Sequence, residues 1–248
     1  MNAVSSTGTK ATRVIGAMAL IGLGWLLLFG LVLSPPDEAQ GQAVRMLYIH
    51  VPTAWLAYLA FGVTALGSAL YLFPKTRSLG WDRLAGASAE IGVLFTGLTL
   101  VAGAIWGRIT WGVYWTWDAR LTTTALLFVL FIGYLALRGL PATHDQRAKR
   151  CAIVGLIAFI DVPIVHVSVE WWRTLHQKST IKAVGDVEIS GSMLFSLFVG
   201  VVAFTLVYVW LMVHKTRIMV MEDALDDHGL DLAIEERRAE GTLEEVTP

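Results

Sequence analysis

Long apolar segments alternate with short polar ones along the chain, and this pattern predicts the fold class. Six segments are almost free of charge and long enough, or nearly so, to cross a membrane: residues 14–33, 47–73, 86–107, 121–138, 151–169 and 191–213. A hydrocarbon layer of about 30 Å needs about 20 helical residues. The segments lack the period-two alternation of a membrane β-barrel, and helices satisfy their own backbone hydrogen bonds in lipid. We predict an all-α integral membrane protein with six transmembrane helices.

The composition agrees with this fold class, because 55% of the residues are hydrophobic and only 16% are charged. The first apolar segment follows Lys10 and Arg13, as the apolar core of a secretory signal follows basic residues. Its length of about 20 residues exceeds that of a signal, and Ser34, Pro35 and Pro36 follow it instead of a small-residue cleavage site. We expect this segment to remain as a membrane anchor.

The distribution of basic residues predicts the orientation of the helices. With both chain ends in the cytoplasm, eleven lysines and arginines flank the inner ends of the segments and six flank the outer ends. The positive-inside rule favours this N-in, C-in arrangement. The tryptophan-rich loop at residues 106–120 then lies on the outer, periplasmic side of a cytoplasmic (inner) membrane.

Charge also divides the chain into two parts. We expect a six-helix membrane domain at residues 1–217 and an acidic cytoplasmic tail at residues 218–248. Residues 222–248 carry ten of the twenty acidic residues, against only Arg237 and Arg238. We interpret the tail as a short solvated helix, with a partner contact as the alternative. No basic patch indicates nucleic-acid binding.

Several kinds of chemistry lack their sequence motifs. The single cysteine, Cys151, excludes a disulfide framework, a Cys-x-x-Cys redox pair and a Cys-x-x-Cys-His haem attachment motif. Neither a Walker motif nor a Gly-x-Gly-x-x-Gly after a strand occurs. We therefore predict that the chain is not an enzyme and that a partner supplies any energy that its function requires.

Tryptophans are concentrated in residues 106–120, which read WGRITWGVYWTWDAR. Trp106, Trp111, Trp115 and Trp117 fall within twelve positions, and Asp118 follows at once. An interfacial aromatic belt explains single tryptophans near helix ends. Four in one loop, each with a large apolar face that needs cover, favour instead a platform for a flat, apolar cofactor.

Two histidines flank this loop on the same predicted side. His50 lies about one turn inside the second segment, and His176 lies about two turns beyond the fifth. Either one alone is compatible with an ordinary interfacial histidine. As a pair beside an aromatic loop they suit the two axial positions of a haem iron, because a neutral imidazole is a good iron ligand. Arginines on the same side are candidate partners of the haem propionates: Arg45, Arg108, Arg120 and Arg173.

Three ionisable residues lie within the predicted spans. Asp161 and His166 are in the fifth span, and Glu90 is near the inner end of the third. Such residues are functional candidates or structural polar pairs, and we favour the structural interpretation. They are also the cue for an alternative function, a transporter subunit that moves haem or another amphiphile across the bilayer. A third possibility is a structural subunit whose aromatic loop docks a protein without any cofactor.

The motifs together resemble a known family. Residues 111–120, WGVYWTWDAR, resemble the tryptophan-rich (WWD) signature of the haem-handling superfamily, whose members are membrane proteins of cytochrome c biogenesis. Residues 46–52, MLYIHVP, and residues 169–177, VEWWRTLHQ, resemble the CcmC branch of that superfamily. The resemblance covers about residues 14–214. Tyr114 is a departure, because some relatives carry a further tryptophan there, but it keeps a stacking ring.

The resemblance implies a function. CcmC-type proteins bind haem b non-covalently and transiently at the outer membrane face and deliver it to the haem chaperone CcmE. They act with the ABC-transporter subunits CcmA and CcmB and the small subunit CcmD, within the lipid of the membrane. Carried onto this chain, the resemblance implies that His50 and His176 are the axial ligands. The platform would be formed by Trp111, Trp115, Trp117 and Asp118, with further candidate contacts from Trp106, Tyr114, Trp172, Arg45 and Arg120.

Overall fold

The computed structural model describes residues 6–176 and 191–244, and the regular elements in these ranges are helical. The helices are α1 (Lys10–Leu28), α2 (Leu47–Leu72), α3 (Leu79–Trp111), α4 (Ala119–Arg138), α5 (His144–Phe159), α6 (Asp161–Trp171) and α7 (Gly191–Glu244). A π-helical turn, Phe29–Leu33, continues α1, and a 3-10 turn, Gln42–Met46, leads into α2.

Six helical segments in the described part of the chain are long and apolar enough to cross a membrane: Lys10–Leu33, Gln42–Leu72, Leu79–Trp111, Ala119–Arg138, His144–Trp171 and Gly191–Gly229. Each contains or overlaps one of the six apolar segments in the sequence. The prediction of an all-α membrane protein with six spans is therefore confirmed, and the chain is a multi-pass membrane protein.

The fifth span is made of two helices instead of one. Helix α5 ends at Phe159 and α6 begins at Asp161. Pro163 explains the position of the break, because a proline lacks the N–H that would bond to the carbonyl four residues earlier, which is that of Phe159. The break leaves Asp161 buried at the start of α6.

Helix α2 lies at the centre of the bundle, where it packs against α3, α5 and α7. Its tight packing against α3 depends in part on Gly92, because a Cβ atom at that position would lie 2.5 Å from Phe61 Cε1. Helix α1 packs mainly along α7, and α4 packs along α6 and α3. The tight antiparallel packing of α2 and α3 brings the first turn of α2, which carries His50, beside the last turns of α3.

The two ends of the bundle differ in chemistry. We call the end formed by residues 34–50, 103–120 and 166–176 the tryptophan end, and the opposite end the ionic end. At the ionic end Arg138 of α4 makes two hydrogen bonds to Asp82 of α3, at 2.7 and 2.8 Å, and both side chains are more than nine-tenths buried. Gly86 makes room for the guanidinium, since a Cβ there would lie 2.5 Å from Arg138 Nε.

Further ion pairs tie α7 to the ionic end. Asp223 accepts hydrogen bonds from Arg83 of α3 at 2.7 Å and from Arg147 of α5 at 3.0 Å. Lys215 pairs with Glu90 of α3 at 2.8 Å, in a more exposed position. Helix α7 continues without interruption through residue 217, where the sequence predicted the start of the acidic tail. The ion pairs therefore attach an unusually long helix to two neighbouring helices of the bundle, α3 and α5.

Candidate functional site

Two imidazoles come together at the tryptophan end. His50 lies in the first turn of α2, and His176 lies in the non-helical segment that follows α6. Their ring centroids are 6.4 Å apart, and the ring planes are inclined by 39°. Both side chains are partly buried. The structure thus brings together the two histidines that the sequence predicted on one side of the membrane.

The last turns of α3 form a wall behind His50. The indole of Trp106 packs edge-on against the His50 ring, with 5.7 Å between the ring centroids. Trp106 is itself held by a hydrogen bond from its Nε1 to Gln40 Oε1, at 2.9 Å. One turn earlier, Gly103 presents bare backbone to the imidazole, and a Cβ there would lie 2.9 Å from His50 Cε1. The position of the His50 ring therefore depends on a tryptophan and on the lack of a side chain at residue 103.

Trp111 has the corresponding position beside His176, with 6.4 Å between the ring centroids. Helix α3 ends there because Gly112 adopts a φ of +80°, in the left-handed region that favours glycine. The Gly112 carbonyl accepts a hydrogen bond from Arg108, whose guanidinium also lies over the Tyr114 ring at 5.7 Å. Arg108 and Tyr114 thus stabilise the turn that redirects the chain after Trp111.

Other aromatic side chains at this end face outward. Trp117 is 82% exposed and packs edge-on against Trp115, with 5.6 Å between the ring centroids. Trp171 and Trp172, at the end of α6, form a second exposed pair at 5.8 Å. Exposed apolar surface of this extent marks a site of interaction. The tryptophans therefore divide into Trp106 and Trp111, which line the histidines, and the outward-facing rings.

Asp118 connects the tryptophan-rich loop to the segment before His176. One carboxylate oxygen accepts a hydrogen bond from the N–H of Leu121 at 2.8 Å and caps α4. The other accepts hydrogen bonds from the Thr174 hydroxyl at 2.5 Å and from the N–H of Leu175 at 3.2 Å. The carboxylate thus lies among protein donors, next to Trp117 in sequence and in hydrogen-bond contact with the two residues before His176.

Two of the candidate arginines bond to other parts of the protein. Arg45 donates to the carbonyl of Ser34 at 3.2 Å and to a second carbonyl in the π-helical turn after α1. Arg120 donates from Nε to Ser168 Oγ at 3.1 Å and from a terminal nitrogen to the His166 carbonyl at 3.0 Å. These bonds join α1 to α2 and α4 to α6, so both arginines have a structural role at the tryptophan end.

The ionisable residues inside the spans have separate surroundings. Glu90 forms its ion pair with Lys215 at the ionic end. The ring of His166 packs edge-on against Tyr58, with 6.3 Å between the centroids. Asp161 is buried at the junction of α5 and α6. The ion pair gives Glu90 a structural role, because it joins α3 to α7. This role agrees with the structural interpretation of that residue from the sequence.

Comparison with known proteins identifies the family. A family model, CcmC, described as Heme exporter protein C, matches residues 2–229. The chain belongs to the CcmC family. The match includes all six spans, both histidines and the tryptophan-rich loop, and it ends within α7.

Curated proteins named Heme exporter protein C are similar over most of the chain. That of Bradyrhizobium diazoefficiens is 40% identical over 192 residues, which cover 75% of this chain and 71% of the relative. That of Haemophilus influenzae is 36% identical over 216 residues, or 87% of both chains. That of Escherichia coli K12 is 37% identical over 168 residues, or 67% of this chain and 66% of the relative.

Three residues at the site went unnoticed in the sequence: Gln40, Gly103 and Thr174. Gln40 and Thr174 are single polar residues in loops, and no motif marks them. Gly103 is one of 23 glycines in the chain. The sequence feature that distinguishes Gly103 is its position one turn before Gly107. Two glycines four residues apart leave one helix face without side chains. That bare face, next to a histidine and several tryptophans, is a usable indication of close packing.

Gly103→Ala is expected to displace the His50 ring by about 0.5 Å, which reaches the tolerance of a binding site, and so to lower the affinity for a ligand held by that ring on the order of 10-fold. The helix itself should gain stability, since alanine favours helix more than glycine does. Gly97→Ala is the matched control on the same helix, where a Cβ would lie 3.4 Å from Phe128 in ordinary contact. Haem titration of both purified variants tests this, and equal affinities would contradict it.

Proposed function

We propose that this chain binds haem at the tryptophan end, with His50 and His176 as axial ligands, and delivers it to the chaperone CcmE during c-type cytochrome maturation. Haem is the cargo of the protein and is held without covalent attachment. The observation that carries the proposal is the separation of 6.4 Å between the two imidazole centroids. Membership of a family whose relatives are named Heme exporter protein C supports the haem-handling role.

The separation fits one metal ion held between the two rings. Each metal–nitrogen bond is about 2 Å and each ring centre lies about 1 Å further, so two imidazoles on one ion have centroids about 6 Å apart. The inclination of 39° between the rings is no obstacle, because each ring can turn about its own bond to the metal. The geometry of the two histidines therefore supports axial ligation from opposite faces of a porphyrin.

The number of ligands also favours haem over a bare metal ion. Among the described residues no group of three or more His, Cys, Asp or Glu side chains is arranged to hold a metal. A protein site for zinc needs three or four such ligands. A porphyrin brings four nitrogen ligands of its own and asks the protein only for axial ones. Two histidines among tryptophans meet that requirement.

The aromatic side chains suggest how haem is held and presented. Trp106 and Trp111 flank the two imidazoles and offer apolar surface to a porphyrin ring. Trp117, 82% exposed, is available to a protein that takes over the haem. Arg120, in the first turn of α4 directly after the tryptophan-rich loop, is the arginine we favour for a propionate. Holding haem at an open edge suits a protein that must also release it.

We further infer the setting from the charge distribution. The positive-inside bias favours an arrangement with both chain ends in the cytoplasm and the tryptophan end at the periplasmic face of the inner membrane. We expect CcmA and CcmB, with CcmD, to be the membrane partners. Residues 1–217 would form the haem-handling domain, and residues 218–248 would extend it into the cytoplasm.

Haem transfer tests the proposal. The protein purified in mild detergent and supplied with ferric haem should give a low-spin absorption spectrum, which a soluble CcmE domain then removes. Trp117→Ala should retain haem within about twofold but transfer it on the order of 10-fold more slowly, since exposed tryptophans often dominate protein contacts. Trp25→Ala, on α1 at 40% exposure, is the control and should transfer normally. A wild-type protein that shows no haem band after loading would refute the proposal.

A further inference from the structure

One carboxylate at the tryptophan end serves two elements with two different oxygens. Asp118 Oδ1 accepts the N–H of Leu121 at 2.8 Å and caps α4. Oδ2 accepts the Thr174 hydroxyl at 2.5 Å and the N–H of Leu175 at 3.2 Å, both from the segment after α6. A substitution can therefore alter the second contact while the helix cap is kept.

Thr174 passes this contact on to His176. Its hydroxyl oxygen accepts a hydrogen bond from the backbone N–H of His176 at 3.0 Å. A hydroxyl can donate one hydrogen and accept another at the same time, so Asp118, Thr174 and His176 form a continuous chain of hydrogen bonds. A hydrogen bond to an ionised carboxylate is shorter and about twice as strong as a neutral one. The strongest hydrogen bond in this series is therefore the one to Asp118.

The position of the segment that carries His176 depends on hydrogen bonds from side chains. Helix α6 ends at Trp171, the N–H of Trp172 makes its last helical hydrogen bond, to the Ser168 carbonyl at 3.1 Å, and residues 173–176 lie beyond the helix. The side chains of Trp171, Trp172 and Leu175 are all more than half exposed, and they add little buried apolar contact. In a loop of this kind, hydrogen bonds from side chains to the backbone set the position of each residue.

We propose that Thr174, held by Asp118, is the positioning residue that keeps His176 at axial-ligand distance from His50. The inference rests on the function proposed above, and it adds the means by which one ligand is controlled. Asp118 directly follows Trp117, whose indole is 82% exposed. His176, which must release haem during delivery, is therefore linked to Trp117, which a receiving protein would contact.

Variants of Thr174 test this role. Thr174→Val keeps the shape of the side chain and removes the hydroxyl, while Thr174→Ser keeps the hydroxyl. Asp118→Asn keeps an N-cap, because asparagine caps helices as well as aspartate does, but its weaker amide replaces the charged acceptor. Thr110→Val is the matched control, since the Thr110 hydroxyl makes its hydrogen bond within α3, to the Trp106 carbonyl at 2.9 Å.

Each purified protein is loaded with ferric haem and examined by absorption and electron paramagnetic resonance. Thr174→Val and Asp118→Asn should convert a large part of the haem to a high-spin form and release it on the order of 10-fold faster, as expected for loss of a hydrogen bond to a charged group. Millimolar imidazole should restore the low-spin form. Thr174→Ser and Thr110→Val should match the wild type in spin state and release rate. The double variant Thr174→Val with Asp118→Asn should release haem no faster than Asp118→Asn alone, because both changes break the same contact.

His176→Ala, measured in parallel, separates the two proposals. If His176→Ala loses the low-spin form while Thr174→Val and Asp118→Asn both keep it with wild-type release rates, the positioning role is wrong and the axial assignment stands. If His176→Ala keeps the low-spin form, the axial assignment fails and the positioning role fails with it. Should Thr174→Val not fold, the comparison of Asp118→Asn with Thr174→Ser decides in the same way.

Discussion

Replacing His176 with alanine is expected to convert bound haem from a six-coordinate low-spin form to a five-coordinate high-spin form. The reason is that, in the function proposed above, each histidine supplies one axial bond, and the separation of 6.4 Å between the ring centroids fits two ligands of one iron. Haem affinity should fall by more than the 10- to 100-fold typical of losing an outer partner of a metal ligand. His50→Ala should have a similar effect, and added imidazole should restore the low-spin spectrum in both variants.

The control for this experiment is a histidine far from the tryptophan end. His214 packs on Trp210 in α7, with 4.6 Å between the ring centroids. His214→Ala should leave the haem spectrum and affinity unchanged. Normal low-spin spectra in both His50→Ala and His176→Ala would remove the axial assignment. The loss of the low-spin form in His214→Ala as well would mean that any histidine substitution perturbs the fold.

Asp82→Asn is expected to cause the largest loss of stability among single substitutions at the ionic end. The change leaves the Arg138 guanidinium buried with a neutral partner, although the ion pair in the native protein is bidentate at 2.7 and 2.8 Å. Breaking a buried ion pair by removing one charge costs about 3–5 kcal/mol. Unfolding in increasing concentrations of denaturing detergent should therefore begin well below the wild-type midpoint.

Two further variants make this prediction specific to burial. Glu90→Gln removes a charge from the exposed pair with Lys215, and it should cost no more than about 1 kcal/mol. The double variant Asp82→Leu with Arg138→Met should be more stable than Asp82→Asn, because replacing both members of a buried pair leaves no unpaired charge. Equal stability of Asp82→Asn and Glu90→Gln would contradict the role assigned to burial.

The spans could be predicted because each depends on a local property, a run of about 20 apolar residues. The break in the fifth span was also implicit in the sequence, since Pro163 removes a hydrogen bond to Phe159. The pair of Asp82 and Arg138 was not foreseen. Arg138 looked like an ordinary basic residue at a membrane surface, and only the crossing of α3 and α4 brings the two groups together.

The candidate site, like the fold, could be predicted from the sequence only in part. His50 and His176 could be placed on one side of the membrane by counting spans, and the nearby tryptophans suggested a shared ligand. Their spacing could not be predicted, because it depends on Gly103, Gln40 and Thr174. These residues act through contacts between distant segments, and no local pattern of residues records such contacts.

Helix α7 has 54 residues, so at 1.5 Å per residue its length is about 80 Å. A hydrocarbon layer of about 30 Å accommodates less than half of this length. The ion pairs of Asp223 with Arg83 and Arg147 attach α7 to the bundle, and about 20 residues of the helix follow them. A tilt of about 5° at these ion pairs displaces the end of the helix, about 30 Å away, by about 3 Å. A tilt of α7 among the membrane helices would therefore reach a protein that contacts its end beyond the bilayer.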